Sequence, residues 1–401
     1  MSEKNINNSL SISTILCSDC HQLPSEKPHI LPLYSTSAYE LGTLENSVGL
    51  FDGSKEGYVY SRYGNPTITA LEEKLALIEC GDSDGVAIMT SSGMSAISTI
   101  LFSLLSKEDV LVTHNGLYGG STEILEILAI RIGFSLIYAD LNDLESLESI
   151  KTQKAITAIY FESPSNPLLH CINIIQLAEF SSKHGIRTIC DNTICTPLLQ
   201  LPLQKGIDFV IYSTTKYLAG HGNSIAGCII SKHKDEMNAN VRKNMRLLGG
   251  NCSPWEAWLT YTGLKTLELR MMRQCDNAVQ IASYLNNHPA VKAVYHNSIP
   301  DHPHHELAGR QMKHYAPLMS FELKGGLEAV SQFMRRIRII THAPTLGDLD
   351  TLVLHPDTSS HRNIPVEVKS KMGITPGLIR LSTGIEALDD LLADLDESLN
   401  V

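Results

Sequence analysis

The segment "STTKYLAGHGN", residues 213–223, sets one amine, Lys216, among three hydroxyl side chains and just ahead of a glycine turn. It follows the apolar run "GIDFVIY", so a buried strand ends by presenting an ammonium group to hydroxyls rather than to a carboxylate. Four other stretches carry groups that complement it. "SSGMSA", 91–96, puts small residues where a strand turns into a helix, and the first amides of such a helix, at Gly93 and Met94, can bind a phosphate. A serine before a helix is also an ordinary N-cap. Ser213 and Thr215 supply further donors for the same anion, and "YSR", 60–62, adds the phenol of Tyr60 and the guanidinium of Arg62. Asp191 ends the strand "GIRTICD"; a carboxylate buried there needs a cap, a salt bridge or a protonated heterocyclic nitrogen. Tyr118, in "GLYGGS", suits either packing or a ring laid flat on another ring. A phosphate clamp, an acid for a pyridinium, a stacking aromatic and a lysine able to form a Schiff base are together the requirements of pyridoxal 5'-phosphate. On that reading the hydroxyls beside Lys216 are phosphate ligands, not its charge partners.

These groups meet only if the chain places them at equivalent points of one sheet. Short apolar runs at 85–90, 109–114, 134–140, 155–167, 185–193 and 206–216 read as strands, with helices at 91–105 and about 121–133 between them. Strands apolar on both faces and spaced by helices predict an α/β fold with a mostly parallel, doubly wound sheet. Ligands in such sheets sit beyond the carboxyl ends of the strands, where Ser92-Gly93-Met94, Tyr118, Asn166, Asp191 and Lys216 all fall. Residues 1–66 read as an extended arm with a short helix at most, 67–262 as the large cofactor-binding domain, and 263–401 as a smaller C-terminal α/β domain entered through a long helix.

Composition narrows the partners. A length of 401 residues suggests about two domains, and 43% hydrophobic with 19% charged residues is ordinary for a globular chain. A formal net charge of −11 argues against nucleic acid or an anionic membrane as partner. No apolar stretch approaches the roughly 20 residues that span a bilayer. The N-terminus lacks the features of a secretory signal, and nine scattered cysteines suit a reducing compartment, so a cytoplasmic location is expected. "CSDCH", 17–21, matches the haem-attachment pattern, which requires export, and with two Cys and one His it is short of a four-ligand zinc site. "HPHH", 302–305, reads as a surface loop before a solvated helix. No metal is expected.

In order and spacing, "YSRYGNPT", "SSGMSA", "LYGGS", "DNTICTP", "YSTTKYLAGHG" and "GLIRLSTGIE" resemble the Cys/Met-metabolism (trans-sulfuration) family of pyridoxal-phosphate enzymes, from about residue 30 onward. That family includes cystathionine γ-synthase, cystathionine and methionine lyases, and homoserine-ester sulfhydrylases. The resemblance implies the fold-type I transferase-like architecture. It also implies that Lys216 tethers the cofactor, Asp191 pairs with its ring nitrogen, and Tyr118 stacks on the ring and assists the leaving group. Gly93, Met94, Ser213 and Thr215 would hold the phosphate. Tyr60 and Arg62 would reach the phosphate of a neighbouring subunit, making a dimer the smallest active unit and a homotetramer the expected assembly. Arg380, in "LIRLS", would bind the α-carboxylate of a small amino-acid substrate, assisted by Asn166 and Thr345.

Both elimination and replacement at the γ-carbon use this one set of residues, so the motifs do not separate them. Gly120 stands where methionine γ-lyases resembling this chain usually have Cys, and Thr122-Glu123 where cystathionine-handling members often have Asn-Arg. Asn223 replaces the Asp usual after "GHG", while "TLGDLDTLVLHPDTSSH", 345–361, is closer to methionine lyases and acetylhomoserine sulfhydrylases. The balance favours a carbon–sulfur lyase that releases 2-oxo acid, ammonia and thiol from a substrate of the methionine, homocysteine or cystathionine class. A γ-replacing synthase or O-acyl-homoserine sulfhydrylase is the alternative. A cofactor-free aldolase would need Lys216 but none of the other groups, and no G-x-G-x-x-G follows the first strands to suggest a nicotinamide site.

Overall fold

Each expected apolar run supplies a strand of one seven-stranded sheet. The computed structural model describes residues 10–18, 28–81, 84–362 and 366–400. The strands are β1 (Val86–Thr90), β2 (Val110–Thr113), β3 (Ser135–Tyr138), β4 (Ala158–Glu162), β5 (Arg187–Asp191), β6 (Phe209–Tyr212) and β7 (Gly227–Ser231), in the order β1-β7-β6-β5-β4-β2-β3. The contiguous set β3, β2, β4, β5 and β6 is parallel. β2, β4, β6 and β7 are buried throughout, as strands covered by helices on both faces must be. β7 was not expected. It runs antiparallel to both β6 and β1, because the chain returns from β6 through a loop and not through a helical crossover. The run 155–167 forms a strand only over Ala158–Glu162.

The N-terminal segment carries more helix than expected: Ile12–Cys17 and Leu44–Asp52, the latter capped by Thr43 accepting from the Asn46 amide. The helix Pro66–Cys80 starts with Asn65 as N-cap and proline in its first turn.

A second sheet, in the order β10-β11-β12-β9-β8, contains β8 (Val291–Tyr295), β9 (Leu318–Leu323), β10 (Thr341–His342), β11 (Leu352–Leu354) and β12 (Leu378–Ser382). The helix Leu267–Asn286 leads into it. From that helix the buried Arg270 reaches back to the segment after β6, donating to the Tyr217 carbonyl (2.8 Å), and also donates to the Gly263 carbonyl just ahead of its own helix (2.8 Å). Gly220 makes this possible. Its φ is +66°, and a Cβ there would stand 1.8 Å from Arg270 Nη1.

The ends of β5 and β6 are tied together from below by a buried polar chain. Tyr212 donates to Glu79 Oε2 (2.5 Å) and accepts from Asn192 Nδ2 (2.8 Å); Gln200 Nε2 donates to Asn192 Oδ1 (2.9 Å) and to the Ser163 carbonyl (3.0 Å). Asn192 and Tyr212 adjoin Asp191 and Ser213, so the chain braces two strand ends that face the site. Burial pushes the Glu79 carboxyl from 4.5 up to about 7, against the opposing hydrogen bonds from Tyr212 and Leu203. A raised carboxyl stabilises the fold fully below its unfolded pKa and loses that contribution as pH rises through the folded one. The loss here is about 3 kcal/mol between pH 4.5 and pH 8. Glu79→Gln is expected to remove it, gaining stability relative to wild type across that window; urea midpoints of both proteins at the two ends check this, and a constant difference would refute a neutral Glu79.

Candidate active site

A cavity of about 290 Å³ opens beyond the carboxyl ends of the large sheet and is closed from the other side by the second sheet. Its lining includes Gly93, Met94, Tyr118, Asn166, Asp191, Ser213, Thr215, Lys216, Thr345 and Arg380. Ten of the twelve residues singled out in the sequence therefore meet in one place.

Lys216 follows β6 and is half-buried. Its Nζ donates to Thr345 Oγ1 (3.0 Å). Burial first, and the Arg380 charge second, lower its pKa, with Asp348 opposing. The amine is thus held closer to its neutral, nucleophilic form by desolvation. Asp191 ends β5 and accepts from the Thr193 amide at Oδ1 (3.0 Å). Among the described residues no lysine, arginine or histidine forms an ion pair with it, and burial raises its pKa. An acid so placed is completed by a cation arriving from the cavity.

At the opposite wall Arg380, on β12, is 4% exposed and donates through Nη2 to the Thr345 carbonyl (2.7 Å). Burial lowers its pKa to about 10. Its Nε and the nearby Asn166 Oδ1 are buried without a hydrogen-bond partner, and among the described residues Arg380 has no ion pair. A buried guanidinium lacking a carboxylate is costly unless a ligand supplies one. Thr345 links the two functional groups, taking Lys216 on its hydroxyl and Arg380 on its carbonyl.

The helix Gly93–Leu104 points its first turn at the cavity, with Ser92 Oγ capping the Ser95 amide (3.0 Å). Ser92 is thus an N-cap, and the helix dipole remains available to an anion. Ser213 crowds this turn: a Cβ on Gly93 would lie 2.8 Å from Ser213 Cβ. The Thr215 hydroxyl already donates to the Ala226 carbonyl (3.2 Å) and accepts from the Ala226 amide (3.1 Å), so it can serve an anion only by turning away from that partner.

Tyr60 and Arg62 do not reach this cavity. Arg62 donates to the Arg246 carbonyl (2.9 Å) and lies over the Tyr63 ring at 4.6 Å, and Tyr60 is 44% exposed. The cavity also contains residues not singled out in the sequence: Glu162, Pro164, Thr193, Ile194, Ile225, Pro344 and Leu346. Of these only Glu162 had a signal, an acid at the end of a buried strand like Asp191. "HPHH" does form a turn leading into the helix His305–Gln311, with Pro303 exposed, but its first histidine is buried. His302 is 6% exposed, and its Nε2 meets the Leu168 carbonyl (3.0 Å), anchoring the loop that carries Asn166. Cys17 ends the helix Ile12–Cys17, whereas Cys20 and His21 of "CSDCH" lie outside the described residues.

Known proteins share this fold. Cystathionine γ-synthase from Xanthomonas oryzae pv. oryzae, solved with cystathionine, superposes with a TM-score of 0.91 at 36% identity, over 97% of this chain and 98% of that one. A putative O-acetylhomoserine (thiol)-lyase from Campylobacter jejuni, solved with N'-pyridoxyl-lysine-5'-monophosphate, superposes at 0.91 with 30% identity, over 98% of this chain and all of that one. The fold is that of the fold-type I pyridoxal-phosphate enzymes. L-methionine γ-lyase from Pseudomonas putida is 39% identical over 92% of both chains. The family model for Cys/Met metabolism PLP-dependent enzymes matches residues 14–400, and the chain belongs to that family. It is a pyridoxal-phosphate-dependent enzyme. Its cavity fits the cofactor on its own chemistry: an amine, an acid lacking a cation, and a helix N-terminus beside hydroxyls stand around one space.

Proposed function

We propose that the enzyme is a carbon–sulfur lyase that eliminates the γ-substituent of a sulfur amino acid of the methionine, homocysteine or cystathionine class, yielding 2-oxo acid, ammonia and thiol. Lys216 would hold pyridoxal phosphate through Nζ, Asp191 would keep its ring nitrogen protonated, and the turn Gly93–Met94 with Ser213 and Thr215 would take the phosphate. When bound, the cofactor supplies an electron sink for charge leaving the substrate α-carbon. Arg380 binds the α-carboxylate, with Asn166 and Thr345 beside it, and so fixes which α-substituent faces Lys216. Lys216, its amine brought towards the neutral form by burial, takes the α-proton at Nζ, gives that proton up, and only then is free to take a β-proton. Tyr118, on the cavity wall, would give its phenolic proton to the departing sulfur. What carries this reading is one observation: among the described residues Asp191 and Arg380 have no counter-ions, and both line the cavity that holds Lys216.

Tyr60 and Arg62 complete the phosphate site of a second copy, in a tetramer built from such dimers; their absence from the cavity of their own chain supports this. Among the described residues no cysteine is in a disulfide, and no helix is long and apolar enough to cross a membrane, which agrees with a cytoplasmic enzyme. Replacement at the γ-carbon, the chemistry named for the Xanthomonas relative, remains the second reading because it needs no different residue. The two separate on incubation with methionine, homocysteine, cystathionine and O-acyl-homoserines, with and without added thiol. Release of 2-oxobutanoate without thiol is expected. A thioether product that forms only when thiol is present would overturn the lyase in favour of a synthase.

A further inference from the structure

Beside Asp191 the cavity holds a second acid to which the mechanism above gives no task. Glu162 ends β4 as Asp191 ends β5, and the two are register partners across that pair of strands, so both side chains leave the same face of the sheet. Glu162 is 6% exposed and lines the cavity. Its Oε1 accepts twice, from the Tyr118 amide (2.9 Å) and from Ser121 Oγ (3.0 Å). The hydroxyl of Ser121, itself fully buried, also meets Tyr160 Oη (3.4 Å). These contacts fall at the start of the helix Gly119–Ile132, whose N-cap position is Tyr118 and which has no side-chain cap of its own. Its first turn is therefore anchored by a strand and not by its own sequence.

The geometry points to Glu162 as a positioning residue for the reaction: through Oε1 it holds the main chain at Tyr118 and so sets where the phenol stands relative to Asp191. This rests on the assignment of Tyr118 and Asp191 to the two sides of the cofactor ring. A hydrogen-bond acceptor suffices for the task, and a second negative charge would oppose it. An ionised Glu162 would compete with Asp191 for the same cation and repel it across the strand pair. Burial first, and the Asp191 charge second, push the Glu162 carboxyl up to about 8, against the bonds from Tyr118 and Ser121. The other titratable groups facing it agree with a neutral acid. Cys190 on β5 and Tyr160 on β4 are themselves held neutral by burial, and His114, after β2, accepts from the Glu162 amide at Nε2 (3.2 Å) with its pKa lowered to about 3. Lys216, Tyr118 and Arg380 complete the ring of groups around the cavity.

The experiment compares wild type, Glu162→Gln and Glu162→Ala as holoenzymes. Borohydride reduction and peptide mapping of wild type come first: a label away from Lys216 sinks the underlying reading whatever Glu162 does. With the label on Lys216, Glu162→Ala is expected to lower kcat about 100-fold with KM little changed, as a misplaced catalytic group does. It should also weaken the visible circular dichroism of the bound cofactor. Glu162→Gln, which keeps a neutral acceptor, should retain kcat within about threefold and the dichroism, and lose the wild-type fall in activity as pH rises through about 8. At pH 7 wild type should show an infrared carbonyl band of a protonated carboxyl that Glu162→Gln lacks. Wild-type kcat and dichroism in Glu162→Ala, or equal damage in both variants, would overturn the inference. If Glu162→Ala does not fold, the infrared band and the Glu162→Gln pH profile decide it: an absent band with an unchanged profile refutes it.

Discussion

Lys216→Ala is expected to lose at least about 10⁴-fold in turnover, because one amine both tethers the cofactor and moves two protons, and such roles contribute on the order of 10²–10⁴-fold each. Lys216 is the only lysine among the described residues that line the cavity, so no neighbouring amine replaces it. Its side chain makes one hydrogen bond, to Thr345, and removing it should leave the fold and the cavity in place. Steady-state release of 2-oxo acid, with and without added methylamine, is the measurement. Methylamine should restore part of the proton transfer, since the vacated space lies beside Thr345 and Arg380. Turnover within tenfold of wild type would refute the role of Lys216 as base and tether.

Arg380→Met should separate function from stability. The guanidinium is buried on β12 with its Nε unpartnered and, among the described residues, no carboxylate against it. A substrate carboxylate would complete a charge pair whose truncation costs about 2–5 kcal/mol, so kcat/KM should fall about 10²- to 10³-fold. The same substitution removes an uncompensated buried charge, and the thermal midpoint of the enzyme without substrate should hold or rise. Cofactor absorbance should be unaffected, since Arg380 is assigned to the substrate. A fall in stability together with unchanged kcat/KM would assign Arg380 to the fold instead of the substrate.

Much of the large sheet was legible because its signals are local. Each strand covered on both faces reads as a continuous apolar run, and each turn beyond a strand end carries the glycines and hydroxyls that mark it. Lys216, Asp191, Tyr118 and the Gly93–Met94 turn follow from that pattern, because every strand but the antiparallel β7 puts its carboxyl end on the same edge. β7 was missed for a physical reason: its direction depends on a loop returning beside β6, and nothing in "GCIIS" encodes which way the strand runs. Within "HPHH" the burial of His302 was not legible: polarity suggests solvent, yet its ring meets a buried carbonyl 134 positions away.

By itself the sequence determined the family, the order of the strands' residues and the amine, acid and phenol that the sheet would present. Only the tertiary structure decided how those groups are perturbed. Thr345, 129 positions from Lys216, supplies its hydrogen bond, burial and then Arg380 depress its pKa, and Glu162 holds the turn at Tyr118. Burial and charge act through space, and two residues on different sheets carry no mark in the chain of how near they will stand.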